Sequence, residues 1–146
     1  MFYPEFEEKI KSGEILVGDL VWVAGYQHAD PLQKPERHVP PTLVQVMANA
    51  DLPYNRNTSS IGYHFRACGK SGKLLARVIN PYVGAVSRYD PNEGSLYISF
   101  MEEDAKVSYV AAAKVAKGKL AKVQQEWIDK FARLNAEIDT RISKNE

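Results

Sequence analysis

The sequence predicts an α+β fold that is mainly β: a small antiparallel, barrel-like body with a short N-terminal helix and a long C-terminal helix. Short runs of β-branched and aromatic residues alternate with turn signals through residues 15–100, without the intervening helices of a parallel sheet. From about Glu102 onward, apolar residues recur every three or four residues, as in a helix. We therefore expect a body over residues 1–101 and a helical segment over 102–146, packed on the body or on a partner.

The first part of the chain predicts a helix, a strand and a long loop. The helix is expected over residues 4–12, because Pro4 suits a first helical turn, glutamates follow it, and Gly13 can end the helix. A strand is expected at 20–23, where Leu-Val-Trp-Val follows a Gly-Asp pair. Residues 27–41 contain four prolines, which cannot lie inside a helix or a central strand, so this stretch predicts a loop.

Five further strands are predicted. They cover residues 42–47, 61–68, 73–79, 83–89 and 95–100. The Gly-Lys-Ser-Gly sequence between the second and third of these is a tight-turn signal, so those two strands form a predicted β-hairpin.

The C-terminal segment carries a stripe of large apolar residues. Its members are Leu120, Val123, Trp127, Phe131, Leu134, Ile138 and Ile142. Their spacing is closer to about 3.67 than to about 3.5 residues per turn, which does not favour a standard left-handed coiled coil. The stripe either folds back on the body or pairs with another helix, and in the second case Trp127, Phe131 and Leu134 are the partner-binding candidates. Gly118 is a candidate point of division between a helix at 105–117 and a second helix at 119–143.

One short segment has a family resemblance. Gly18-Asp19-Leu20-Val21-Trp22-Val23-Ala24 resembles the opening strand of SH3-like barrels, including the KOW and PWWP types. The resemblance covers these residues directly and residues 15–100 by strand count, and it implies an SH3-like barrel that binds nucleic acid or protein. Val39-Pro40-Pro41-Thr42 stands before the second strand instead of the PWWP tetrad, which puts an aromatic methyl-lysine cage in doubt.

Basic and aromatic residues are interleaved in the predicted sheet, a pattern that can neutralise phosphates and stack on bases. The nucleic-acid-binding candidates in the sheet are His64, Arg66, Lys70, Lys73, Arg77 and Arg88. Those at the start of the long helix are Lys114, Lys117, Lys119 and Lys122. Strand alternation puts His64 and Arg66 on one face, and Lys73 and Arg77 on one face of the next strand. A solvated sheet face and a solvated lysine face are the alternatives.

The sequence supports neither catalysis nor a bound metal. A single cysteine, Cys68, excludes an intramolecular disulfide and a cysteine-rich zinc site, and its expected role is that of a small buried apolar residue. His28 and His38 match no known ligand spacing. Glu102-Glu103-Asp104 suits a helix start, where carboxylates complement the dipole. Gly69-Lys70-Ser71 lacks the earlier glycine of a phosphate-binding loop. We expect no enzyme activity and no cofactor.

The distribution of charged and apolar residues limits where in the cell the protein is expected and what it can bind. The chain shows no signal-peptide pattern and no stretch of about 18 apolar residues, so we expect a soluble protein of the cytoplasm or nucleus, neither secreted nor in a membrane. Residues 1–50 hold four basic and seven acidic residues, whereas residues 106–146 hold nine basic and five acidic ones.

Two functional hypotheses follow from these patterns. The first is a non-enzymatic regulatory or accessory protein that binds nucleic acid through a basic sheet face and the lysine-rich helix start. The alternative is a protein-interaction module, an inhibitor or adaptor, that uses the proline-rich loop and the amphipathic C-terminal helix, or associates with itself through that helix.

Overall fold

The structure is a computed structural model and describes residues 1–27, 37–48, 62–81 and 95–146. The predicted strand at 83–89, which contains Arg88, lies outside the described residues. The elements are α1 (Tyr3–Lys11), β1 (Leu20–Gln27), β2 (Arg37–Ala48), β3 (Tyr63–Cys68), β4 (Leu74–Ile79), β5 (Tyr97–Ser99) and α2 (Glu102–Asn145).

The five strands form one antiparallel sheet in the order β4-β3-β2-β1-β5. β1 therefore lies between β2 and the last strand, β5, with Trp22 opposite both Leu43 and Ser99. The predicted α+β class, with a short N-terminal helix, an antiparallel sheet and a long C-terminal helix, is confirmed. Such a sheet is compatible with a barrel-like body.

The hydrophobic core lies between α1 and one face of the sheet. The Phe6 ring of α1 packs against Phe65 of β3, with ring centroids 5.4 Å apart, and both side chains are fully buried. The sheet contributes Val21, Val44 and Ile98 from three other strands. Because side chains alternate along a strand, the residues between these core residues face the other side of the sheet.

α2 covers part of that other side. Val39 of β2 faces the core, so its neighbour His38 faces away from it, as does Tyr26, which pairs with His38. Tyr109 of α2 contacts both of these residues. The body therefore has three layers: α1, the sheet and the first part of α2.

β2 begins earlier than the sequence predicts, because residues 37–41 form strand and not loop. Pro40 and Pro41 lie at a β-bulge between the pairs Val23–Thr42 and Gly25–Val39, where one residue of β1 opposes both prolines. Among the described residues, β3 pairs with β2 only from Val44 onward. The prolines thus fall where the ladder is already interrupted, and their missing amide hydrogens are tolerated.

The predicted hairpin of β3 and β4 is confirmed. The turn is closed by backbone bonds, in which the Gly69 amide donates to the Lys73 carbonyl at 2.8 Å and the Gly72 amide donates to the Gly69 carbonyl at 2.8 Å. Gly72 has a φ of 78°, a conformation that other residues rarely adopt, so glycine is required there.

α2 is one continuous helix of 44 residues, and Gly118 does not divide it. At about 1.5 Å per residue the helix is roughly 66 Å long, far more than the sheet can cover. Ala105 and Ala116 are buried, whereas every residue from 117 to 146 is exposed except Val123, which is half-buried. Within the described ranges, no helix combines the length and apolar character needed to cross a membrane.

Candidate functional site

The second half of α2 presents an uncovered apolar stripe. We define the apolar stripe as Leu120, Val123, Trp127, Phe131, Leu134, Ile138 and Ile142. Apart from half-buried Val123, the exposed fractions of these side chains range from 38% at Trp127 to 56% at Phe131. The Trp127 and Phe131 rings lie 5.6 Å apart, and Lys130 Nζ lies 5.1 Å from the Trp127 ring centroid. The predicted partner-binding residues Trp127, Phe131 and Leu134 therefore lie together on one surface.

The apolar stripe continues the face of α2 that packs on the body. Ala105, Ala116, Trp127 and Ile138 follow each other at intervals of eleven residues, which is close to three helical turns. The first two are the buried residues of α2, and the other two are exposed. The two small side chains therefore lie where the helix is covered, and the two large ones lie where it is exposed. The face of α2 that is buried in the body thus continues as the apolar stripe in the part of the helix beyond the body.

Three aromatic residues fix α2 on the sheet. Tyr109 Oη and His38 Nδ1 are hydrogen-bonded at 3.0 Å, and the Tyr109 ring lies 5.6 Å from that of Tyr26. The Tyr26 and His38 rings are 5.7 Å apart. Sequence reasoning missed this contact, although Tyr109 precedes Leu120 by eleven residues and so shares the phase of the apolar stripe. His38, weighed as a metal ligand in the sequence, serves here in packing.

The acidic cluster at the start of α2 has a local structural role. Ser99 Oγ donates to Asp104 Oδ2 at 3.0 Å and accepts from the Met101 amide at 3.0 Å. Lys106 Nζ lies 2.9 Å from Glu102 Oε1. These contacts tie the end of β5 to the first turn of the helix, and the carboxylates complement the helix dipole.

Four of the predicted nucleic-acid-binding residues lie in the β3–β4 hairpin. We define the basic hairpin as residues 62–81, which contain Arg66, Lys70, Lys73 and Arg77 and no acidic residue. Lys70, Lys73 and Arg77 are exposed, and Arg66 is half-buried. Arg66 Nε donates to the Leu75 carbonyl at 2.7 Å, so this guanidinium also joins the two strands.

The basic hairpin does not form one basic face. Arg66 is paired with Val78, so Arg77, the next residue along β4, faces the opposite side of the sheet. Among the described strands β4 lies at the edge of the sheet, so cations lie on both faces of the sheet at this position. Arg66 and Arg77 therefore do not share one face of the sheet.

His64 does not belong to this surface. Its side chain is buried, with 7% exposed, and it lies opposite Met47 of β2. Burial lowers the pKa of His64, which favours the neutral ring and removes it as a cation for phosphate. Alternation correctly placed His64 on the face away from the core, but the sequence could not show that this face is covered at His64.

Cys68 is buried, as expected of a small apolar residue. Burial, opposed in part by the charge of Arg66, raises the pKa of its thiol, which makes the reactive thiolate scarce at neutral pH. Within the described residues, no three histidine, cysteine, aspartate or glutamate side chains come close enough to hold a metal ion.

The four lysines predicted near the start of the C-terminal helix lie well inside α2, because the helix already begins at Glu102. Lys114, Lys117, Lys119 and Lys122 are all exposed. Lys117 and Lys119 are two residues apart in a helix and so point to nearly opposite sides, at about 100° per residue. Lys114 and Lys122 point in other directions again. The structure therefore distributes these lysines around α2, and they do not extend the basic hairpin as one surface.

Comparison with known proteins gives no match. The chain matches no protein-family model, and no curated protein and no solved structure shows significant similarity to it. Functional proposals for this protein therefore depend on its own geometry.

Proposed function

We propose that this protein is a non-enzymatic protein-interaction module whose long helix binds another helix along the apolar stripe. The observation that carries the proposal is the exposure of six large apolar side chains on one face of α2, beyond the body. Contiguous exposed apolar surface marks interaction sites, and an amphipathic helix binds through anchors spaced three and four residues apart. Trp127 and Phe131 are the expected main anchors, because large aromatic residues dominate such interfaces.

The body supports this role by holding the helix in one orientation. The contact of Tyr109 with His38 attaches the first part of α2 to the sheet, and Ala105 and Ala116 are buried on the same helix face. A helix fixed at one end loses less freedom when the other end binds, which favours affinity.

We also take the body to be of the SH3-like type. The Gly18-Asp19 pair leads into β1, where the Asp19 carboxylate accepts from the Leu16 amide at 2.9 Å. The antiparallel order, with the last strand beside the first, is in keeping with this resemblance. Barrels of this type serve as binding modules, which supports an adaptor or inhibitor as the class of protein.

Site-specific photocrosslinking tests the interaction proposal. Phe131 is replaced by p-benzoylphenylalanine in the full chain, and the protein is irradiated in the cells that naturally produce it. The same substitution at Lys122, which is exposed on the opposite side of α2, is the matched control. We expect a polypeptide adduct at Phe131 well above that at Lys122. Equal yields at the two sites, or none at either, would reject the apolar stripe as a protein-binding surface.

A second candidate function is nucleic-acid binding by the basic hairpin. The specific observation is its charge: four cations and no acidic residue within residues 62–81. None of the ion pairs among the described residues involves this hairpin. Cations on both sides of an edge strand suit a phosphate backbone that follows the edge, whereas a flat basic face would suit a broader surface.

The nucleic-acid proposal is tested by titration with a single-stranded and a duplex oligonucleotide at low and at physiological salt. Changing Lys70, Lys73 and Arg77 to alanine should weaken binding by at least about tenfold and reduce its salt dependence. Arg66 is left unchanged, because its bond to Leu75 supports the hairpin. The control variant changes Lys114, Lys117 and Lys122 to alanine, which removes the same number of positive charges from another part of the protein. Absence of binding by the wild type at low salt would exclude this function.

A further inference from the structure

We infer that the helix bound by the apolar stripe is the apolar stripe of a second copy of this chain, running in the opposite direction. The inference rests on the proposed function, because it names the partner of the same surface. Its basis is the spacing of the stripe, the charges beside it and the location of the body on α2.

The spacing of the stripe is the same in both directions. From Val123 to Ile142 the intervals between its members are four, four, three, four and four residues. Two antiparallel copies therefore align at every layer between these two residues, with Val123 opposite Ile142, Trp127 opposite Ile138 and Phe131 opposite Leu134, whereas Leu120 lies opposite Asn145. Each layer of the central four combines one aromatic and one aliphatic side chain, so no two aromatic rings of the stripe compete for the same space.

The charges beside the stripe are complementary in this arrangement. Lys130 and Arg141 form one row along α2 and Glu126 and Glu137 form the next row on the same side, since each pair is eleven residues apart. In an antiparallel pair, the same side of both helices meets. Along the helix axis, Lys130 then lies within about one half turn of Glu137 of the second copy, and Glu126 lies within the same axial distance of Arg141 of that copy. Glu126 is equally close along the axis to Glu137 of that copy, but both glutamates lie in the row farther from the stripe, which separates them more widely. Twofold symmetry produces each contact twice.

The location of the body excludes the parallel alternative. Ala105 and Ala116 are buried in the protein's own body, and Tyr109 between them packs on Tyr26 and His38 of the sheet, on the helix face that the apolar stripe continues. A parallel second copy aligned in register along the stripe would bring its own residues 105–116 into the space that this sheet occupies. An antiparallel copy instead places the two bodies at opposite ends of the helix pair, where neither obstructs the other.

The period of the stripe sets the form of the helix pair. Its eleven-residue repeat corresponds to roughly 3.67 residues per turn, slightly more than the 3.6 of a straight α-helix. The two helices should therefore run nearly straight or with a slight right-handed twist, and not as the left-handed coil that a seven-residue repeat produces.

Charge exchange in the full chain tests the pairing by sedimentation equilibrium. The wild type should form a dimer. Lys130→Glu and Glu137→Lys should each weaken it by roughly tenfold, because two attractive contacts become repulsive. The double variant should restore dimerisation, since the exchanged charges at these two positions then attract each other across the pair. Lys122→Glu, an equal charge change on the other side of α2, should leave the dimer unchanged. Wild-type chains that stay monomeric at all concentrations, or a double variant no better than the singles, would overturn the inference.

The direction is tested by the distance between spin labels at Lys117→Cys, with Cys68→Ala removing the native thiol. An antiparallel pair in the stated register separates the two labels by about 45 Å along the axis, whereas a parallel pair brings them within about 20 Å. The short distance would refute the antiparallel arrangement. A Phe131 crosslink only to a different protein, together with a monomeric chain, would leave the proposed function intact and refute self-association.

Discussion

At the scale of single residues, the contact between Phe6 and Phe65 joins α1 to the sheet. Both side chains are fully buried, and their ring centroids are 5.4 Å apart. Tyr3, also in α1, is buried nearby, and its ring lies 5.9 Å from that of Phe6. Protein cores are packed as densely as organic crystals, so the neighbours of a removed ring fill its space only in part.

Removing the Phe65 ring should therefore destabilise the protein severely. We expect Phe65→Ala to reduce the free energy of unfolding by about 3–5 kcal/mol, because it removes buried apolar surface and leaves a cavity. Urea denaturation provides the measurement. Leu75→Ala in β4, where the side chain is 45% exposed, should cost less than about 1 kcal/mol. Equal losses in the two variants would contradict the core as described.

His64 should make stability depend on pH. Burial lowers its pKa below the ordinary histidine value of about 6.5, so the unfolded chain takes up this proton first as the pH falls. The contribution of His64 to the free energy of unfolding is therefore fully present at pH values above this ordinary pKa, and it is lost as the pH falls below it. We expect the free energy of unfolding to fall between about pH 7.5 and about pH 5.5, and to fall less in His64→Gln. Identical pH dependence in both proteins would show that His64 does not titrate differently on folding.

At the scale of elements, β2 and α2 each continue through residues that favour interruption. β2 includes Pro40 and Pro41 because a bulge and an interrupted ladder remove the need for their amide hydrogens. α2 includes Gly118 at an exposed position, where an added Cβ would meet no atom within 4 Å outside the helix's own backbone. Neither element is broken, and in α2 the continuity aligns the apolar stripe with the body.

Gly118→Ala should therefore stabilise α2. Alanine reduces the conformational freedom of the unfolded chain and favours helix over glycine by about 0.5–1 kcal/mol. We expect a higher helical signal at 222 nm in thermal melts of the full chain, and self-association at least as strong as in the wild type. Weaker association, despite higher helix content, would indicate that α2 bends at Gly118 when it binds.

At the scale of the whole molecule, α2 divides into a part that belongs to the body and a part that leaves it. The first part carries the buried Ala105 and Ala116 and the bond from Tyr109 to His38. The second part carries the apolar stripe, which the body does not cover. Folding of the body and binding by the stripe should therefore be separable.

Two truncations test this separation. A chain ending at residue 118 should retain the stability of the body within about 1 kcal/mol and lose self-association. A chain ending at residue 104 should lose at least about 2 kcal/mol, because it also loses the Tyr109 bond and the buried alanines. The fluorescence of Trp22 in urea reports the unfolding of both truncated chains. The full-length reference is Trp127→Phe, which has Trp22 as its one tryptophan, as the truncated chains do. Strong destabilisation by the longer truncation would show that the apolar stripe packs on the body.

The sequence by itself determined the types of element and most of their places. α1, the β3–β4 hairpin and the helical character of the C-terminal segment follow from periodicity, turn residues and helix-end signals, which are properties of neighbouring residues. The members of the apolar stripe were evident for the same reason. Only the tertiary structure decided which surfaces are covered, because coverage depends on residues that are far apart in the chain. In the tertiary structure His64 is buried, Arg66 and Arg77 lie on opposite faces of the sheet, and the apolar stripe lies beyond the body, where it is exposed.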